Sequence, residues 1–240
     1  MRMLAVYHKA EDARFISHLD ILRALQRAFR RAGLPLKYSD GFNPHPELSF
    51  ASALATGMTS DAEWFEVELT QDMTPEAFVS AVNPVLSRGL SVSDAREMPA
   101  GIKTLTSCTR AAEYRITIST DQVFQPDMLE EALHGLLSGD IVVNKRTKSG
   151  IKPVNIRPQI LKAAVEGIEN DTITLRVLGQ MQADGGLRAE LFAGALLDRL
   201  DAQGVVRIHR TAMFFDSDGS LPRIPSEERG KELHEQGNTG

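Results

Sequence analysis

SHLDILRALQRAFRRAG, Ser17 to Gly33, fixes the first helix of the chain and with it the order of everything around it. Leu22, Leu25 and Phe29 recur at helical spacing. Ser17 is a helix cap with Asp20 three residues on, where a capping box places its acid, and Gly33 followed by Leu34-Pro35 ends the run. Before it, the apolar segment Met3 to His8 predicts a strand. After it come a short extended segment at Leu36 to Tyr38, the unusual loop KYSDGFNPHPELSFA over Lys37 to Ala51, and EWFEVEL over Glu63 to Leu69. The alternation of the last predicts a strand with one wet face. Thr74-Pro75-Glu76 starts a second helix, with Thr74 as cap and Pro75 in the first turn, running to about Leu86; Leu90 to Ala95 predicts a closing strand.

The order is βαββαβ, and the second half repeats it in pattern: strand Tyr114 to Ser119, helix Pro126 to Leu137, strand Ile141 to Asn144, strand Thr172 to Leu178, helix Leu187 to Leu200, strand Val205 to Phe215. Two such units predict an α+β fold of tandem ferredoxin-like architecture, antiparallel sheets with helices on one face. The expected division is a first domain over 1–97, a linker over 98–110, a second domain over 111–216 and a polar, disordered tail over 217–240.

The 240 residues carry a net charge of -5 and 42% hydrophobic residues, a composition that suits a soluble, buried-core protein rather than one that coats nucleic acid indiscriminately. No apolar run reaches the roughly 20 residues of a membrane span, and the early acids of MRMLAVYHKAED do not suit a signal peptide, so a cytoplasmic location is expected. The single cysteine, Cys108, excludes an internal disulfide, a Cys-rich zinc site and an iron–sulfur cluster held by this chain's own thiolates.

Charge is unevenly spread. Arg14 to Lys37 holds six basic residues against one acid, Asn144 to Lys162 six basic residues and no acid, and Asp61 to Glu76 six acids and no base. Arg23, Arg27, Arg30 and Arg31 lie three to four residues apart and project together from the first helix. The second island supplies Lys145, Arg146, Lys148, Lys152 and Arg157 around Gly150, expected as a mobile arm in the connection between the second and third strands. Both islands have the cation density that grips phosphates. The loop around His45 is expected in the matching slot of the first half. There Gly41 offers a positive φ, Phe42 and Phe50 anchor the loop, and the flanking Pro44 and Pro46 present His45 rigidly.

His18, at the first position of the helix, sits near its positive end and favours a neutral imidazole. His18, Asp20 and His45 are therefore candidates for a two-His, one-carboxylate set or for general acid–base chemistry on RNA, although Asp20 is more simply the capping acid and no metal is assigned. P-loop, Gly-x-Gly-x-x-Gly and Cys-x-x-Cys signatures are absent from the sequence.

Arg14 to Gly57 resembles the opening of the radical SAM-linked protein family. The resemblance lies in Arg14-Phe15, Ser17-His18-Leu19-Asp20, the arginines 23, 30 and 31, and the Gly41-Phe42-Asn43-Pro44-His45-Pro46 loop with Ser39, Ser49 and Phe50; Lys148, Gly150, Ile156 and Arg157 are similar too. The resemblance implies association with a separate radical SAM enzyme that carries a cobalamin-binding region. It names an association rather than an activity.

These features lead to the expectation of a non-catalytic RNA-binding or substrate-presenting accessory protein without cofactors. Its binding residues are Arg14, Arg23, Arg27, Arg30, Arg31, Gly41, Phe42, Asn43, His45, Lys145, Arg146, Lys148, Lys152 and Arg157. An RNA endonuclease using His18 and His45, and a protein adaptor for the radical SAM enzyme, are the alternatives.

Overall fold

The computed structural model describes residues 1–98, 102, 104–147, 150–181, 186–216 and 221–222. The fold is mixed α+β, and the chain divides into two compact units, Met1–Thr109 with His209–Met213, and Arg110–Ile208 with Phe214–Gly240.

In the first unit β1 (Arg2–Lys9), α1 (His18–Arg31), β2 (Leu48–Phe50), β3 (Thr59–Glu68), α2 (Pro75–Val82), β4 (Leu90–Glu97) and the short α3 (Leu105–Cys108) follow one another. β1 lies between β4 and β3, antiparallel to both, and β2 pairs antiparallel with the C-terminal half of β3. The beginning of β3 instead takes a parallel partner, His209↔Thr59 and Arg210↔Ser60, from β10 (Gly204–Phe215).

α1 forms as its sequence dictates. Ser17 Oγ accepts from the Asp20 N–H, and Gly33 takes φ +68° just past the helix end, a conformation open to glycine. Ile21, Ala24, Leu25, Ala28 and Phe29 are buried along one stripe against Met3, Ala5 and Tyr7 of β1 and Phe65 and Val67 of β3, while Phe78 and Val82 of α2 close the same core. Phe29 stacks at 5.6 Å from Phe65 and 5.7 Å from Phe78. Each large apolar side chain buried here contributes roughly 1.5–3 kcal/mol. α2 begins as expected, with Thr74 capping Ala77 N–H and Pro75 in the first turn, and ends at Val82 before a 3-10 turn.

Two expectations change. The extended segment at Leu36 to Tyr38 makes only isolated bridges, Leu36↔Leu69 and Tyr38↔Pro46, although Leu36 is buried in the core, and β2 lies inside the quoted loop, where Leu48 and Phe50 pack against that core. The loop therefore joins α1 to β2. Nor does EWFEVEL have a wet face in the simple sense. Glu63 shares the core side of β3 with Phe65 and Val67 and is 1% exposed, and Glu66 on the other side is 7% exposed.

In the second unit β5 (Thr109–Thr120) is followed by α4 (Pro126–Leu137), β6 (Val142–Thr147), β7 (Gly150–Asn155), β8 (Ile160–Glu169), β9 (Thr172–Gln180), α5 (Ala189–Leu200) and β10. β9 pairs antiparallel with β5 and β8, and β6 and β7 form a separate two-stranded hairpin. The basic arm expected over 144–162 is thus regular structure: a hairpin, then a 3-10 turn at Arg157–Gln159, then a ten-residue strand. β8 alternates half-buried and exposed residues along most of ILKAAVEGIE, with Ile160 alone fully buried, a period-two pattern. Within the segment expected as a linker, Leu105–Cys108 form one helical turn capped by Thr104. Of the stretch expected as a disordered tail, only Leu221 and Pro222 are described: Leu221 is buried and Pro222 O accepts from Phe215 N–H at 2.7 Å. The rest of that tail lies outside the described residues, as does Lys148.

The quoted loop follows α1 and runs into β2, and the hairpin lies between α4 and β8, so neither is the connection between second and third strands expected from the sequence.

Candidate functional site

On α1, burial of one stripe forces the arginines outward: Arg23, Arg27, Arg30 and Arg31 are all exposed. Arg23 meets Asp20 at 3.1 Å, so the stripe has one acidic partner. Arg30 Nε donates to Gln26 O at 3.2 Å and Arg31 donates to Val85 O, contacts that leave their charge unneutralised. Among the described residues Arg23 alone of the four has a carboxylate within ion-pair distance. Asp20 also accepts from Ser17 Oγ at 2.7 Å, and these two partners hold its carboxyl below the usual range.

Arg14 plays a structural part. Its Nε donates to Gly57 O at 2.8 Å and its guanidinium lies 5.2 Å from the Phe15 ring, while its carbonyl accepts from Gly57 N–H and from Lys9 Nζ. Phe15 is 75% exposed.

The loop before β2 is ordered by its own side chains. Ser39 Oγ lies 3.0 Å from His45 Nδ1 and accepts from the His45 N–H at 3.2 Å, and Ser39 N–H donates to His45 O. Gly41 has φ +117°, which L residues rarely adopt, and Phe42 beside it is fully exposed, so Phe42 presents its ring rather than anchoring the loop. Asn43, Pro44 and His45 are also exposed. Phe50 does anchor, its ring 5.9 Å from Tyr7 and 6.3 Å from Phe65. His45 borders a cavity of about 260 Å³ whose walls include Arg2, Glu47, Ser49, Glu66 and Glu68. Ser49 and Arg2 fix Glu66 at 2.7 and 2.5 Å, and Lys37 clamps Glu47 and Glu68 at 3.0 and 2.8 Å.

His18 goes elsewhere. Its ring packs edge-on to Phe50 at 4.6 Å with Nδ1 buried and unpartnered, and burial pushes its pKa down against the opposing pull of Glu63. Asp20 is held by Ser17 and Arg23, and His45 by Ser39. Among the described residues no group of three His, Cys, Asp or Glu side chains suits a metal ion, so the two-His, one-carboxylate set is not assembled.

A buried polar cluster at the end of the β1–β3 core was not foreseen from the sequence. Arg210 and Glu63, 4% and 1% exposed, meet at 2.9 and 3.1 Å, beside Tyr7 and the wholly buried Lys9. Burial drives the Tyr7 pKa up and that of Lys9 down. Arg210 lies 147 residues from Glu63, and a single sequence carries no signal that joins them.

In the second unit Lys145 and Lys152 are direct cross-strand partners on the hairpin, and Arg146 is exposed opposite Ile151, itself 71% exposed. Arg157 is structural: its guanidinium donates to Leu137 O at 2.6 Å and Ile160 O at 3.0 Å. On β5 and β9, Arg115 and Arg176 face each other and share Glu166 from β8 at 2.8 and 2.5 Å; these hydrogen bonds lower the Glu166 pKa to about 2.

No curated protein matches the sequence. Among solved structures, a chain of a Cbf5–Nop10–Gar1 complex is similar at 10% identity and TM-score 0.54, over 88% of this chain and 48% of that one. A chain of the archaeal box H/ACA sRNP Nop10–Cbf5 complex gives 9% and 0.47, over 86% and 47%; one from an H/ACA RNP bound to a substrate RNA containing 2'-deoxyuridine gives 10% and 0.48, over 87% and 46%. This chain thus spans about half the length of those chains, and at such identities the likeness is one of fold. The family model described as uncharacterized protein conserved in bacteria (DUF2344) matches residues 2–188, most of the 240, and the chain belongs to that family.

Proposed function

We propose that this protein binds RNA through the arginine face of α1 and holds it for a separate radical SAM enzyme. The observation that carries the proposal is the exposure of Arg23, Arg27, Arg30 and Arg31 on one face with a carboxylate at Arg23 alone. Phosphate contact asks for such a density of uncompensated cations. The exposed rings of Phe15 and Phe42 suit base stacking, which favours single strands. In the second unit the hairpin adds Lys145, Arg146 and Lys152. Like charges set directly opposite one another disfavour the hairpin, and a bound phosphate would relieve them. His45 and the glycine-turned loop serve recognition, of a nucleotide or of the enzyme.

In this reading each unit is ferredoxin-like. The strand order β4-β1-β3 with β2 on β3, and the helices after the first and third strands, support it, and the second unit follows with its hairpin inserted. The enzyme partner rests on the sequence resemblance and on the single cysteine, which places any cluster outside these 240 residues.

The test is fluorescence anisotropy with single-stranded and duplex RNA at several salt concentrations. Arg27→Glu with Arg30→Glu should weaken binding to single strands at least tenfold. Unchanged affinity would overturn the RNA reading, and a stable complex with the enzyme that needs no nucleic acid would favour the adaptor instead.

A further inference from the structure

Away from the helices, three neighbouring strands of the first unit bring four polar side chains into one chain of hydrogen bonds. Asp61 of β3 takes His209 Nε2 on one carboxylate oxygen at 2.9 Å and His8 Nδ1 of β1 on the other at 3.2 Å. His209 Nδ1 lies 2.8 Å from Thr59 Oγ1, its register partner across β10 and β3. His8, Asp61 and His209 are 34%, 59% and 28% exposed in their side chains, so solutes reach the group.

The proton positions follow from the chemistry. An ionised carboxylate only accepts, so His209 must donate from Nε2. In the neutral ring Nδ1 is then an acceptor, and the partner with a proton to give it is the Thr59 hydroxyl. Partial burial pushes the Asp61 carboxyl up, but the hydrogen bonds and charges of His209 and His8 outweigh it and keep Asp61 ionised below the usual range. Hydroxyl, imidazole and carboxylate thus stand in the order nucleophile, base and orienting group.

We propose that Thr59 is an activated hydroxyl nucleophile, with His209 as its base and Asp61 as the positioning residue, directed at an uncharged acyl group such as a carboxylic ester. The Asp61 carboxylate between the two imidazoles repels phosphodiesters, which selects the uncharged class. Thr59 Oγ1 bonds to the acyl carbon as its proton passes to His209 Nδ1, and the departing alkoxide takes that proton. Water then attacks the acyl-threonine, giving one proton through Nδ1 back to Thr59 Oγ1, so ester and water yield acid and alcohol. The site is independent of the arginine face and of RNA.

The experiment treats the full chain with an alkyl fluorophosphonate, which loses fluoride as the Thr59 oxygen bonds to phosphorus, and maps adducts by peptide mass spectrometry. One adduct per chain on the peptide holding Thr59 is expected, kept in Thr59→Ser and lost in Thr59→Val. It should slow at least tenfold in His209→Gln and in Asp61→Asn, two variants of which either suffices if the other does not fold. No adduct at Thr59, or labelling at an unchanged rate in a folded His209→Gln or Asp61→Asn protein, would overturn the proposal and leave the four side chains as a cross-strand staple.

Discussion

Glu63 and Arg210 bury a charge pair where the core of the first unit meets the end of β1, with Lys9 and Tyr7 beside it. Removing one partner strands the other charge away from water. Glu63→Gln should therefore cost about 3–5 kcal/mol in urea unfolding, and a loss below about 1 kcal/mol would mean that water reaches the guanidinium. His18 gives a pH dependence whose sign follows from its lowered pKa. The unfolded chain takes up a proton near the ordinary histidine value of about 6.5, while the folded one resists, so stability is full above that pH and declines as pH falls toward the folded value. His18→Gln should flatten that part of the stability curve between about pH 7 and 5, and an unchanged curve would show the imidazole to be solvated. At this scale the sequence was legible where a role is local: the Ser17 cap, the Asp20 acid and the turn at Gly41 follow from neighbours a few residues away. Arg14 and Arg157, expected among the binding residues, also donate to backbone carbonyls, contacts that no sequence pattern signals because a cation's surroundings are set by distant segments.

The elements differ in how openly they announce themselves. α1 was clear because its apolar spacing, cap and terminal glycine agree, and Ser17→Ala should cost about 1 kcal/mol. β7 and β8 were hidden, since their lysines and prolines read as a mobile arm whereas cross-strand pairing and a half-exposed face tolerate such residues. The hairpin makes a two-sided forecast. Lys145→Glu sets opposite charges across from one another, so amide exchange in β6 and β7 should slow, by roughly 0.2–1 kcal/mol of local stability, while RNA binding weakens. Slower exchange with unchanged RNA affinity would remove the hairpin from the binding account.

For the whole molecule, order of elements was legible and membership of the units was not. The period-two and helical patterns locate most strands and helices, but β10 contributes His209–Met213 to the first unit, a pairing that only the folded chain reveals. Net charge was equally uninformative: a chain at -5 displays a cationic helix face, because its acids lie elsewhere, four of them on β3. The most direct measurement of the central claim is the salt dependence of single-stranded RNA affinity for the wild-type chain and for Arg27→Glu with Arg30→Glu. Four phosphate contacts predict a slope of log affinity against log salt near about -3, and removal of two should reduce its size by about 1.4. A wild-type slope near zero, or one that the double reversal leaves in place, would contradict RNA binding by this helix.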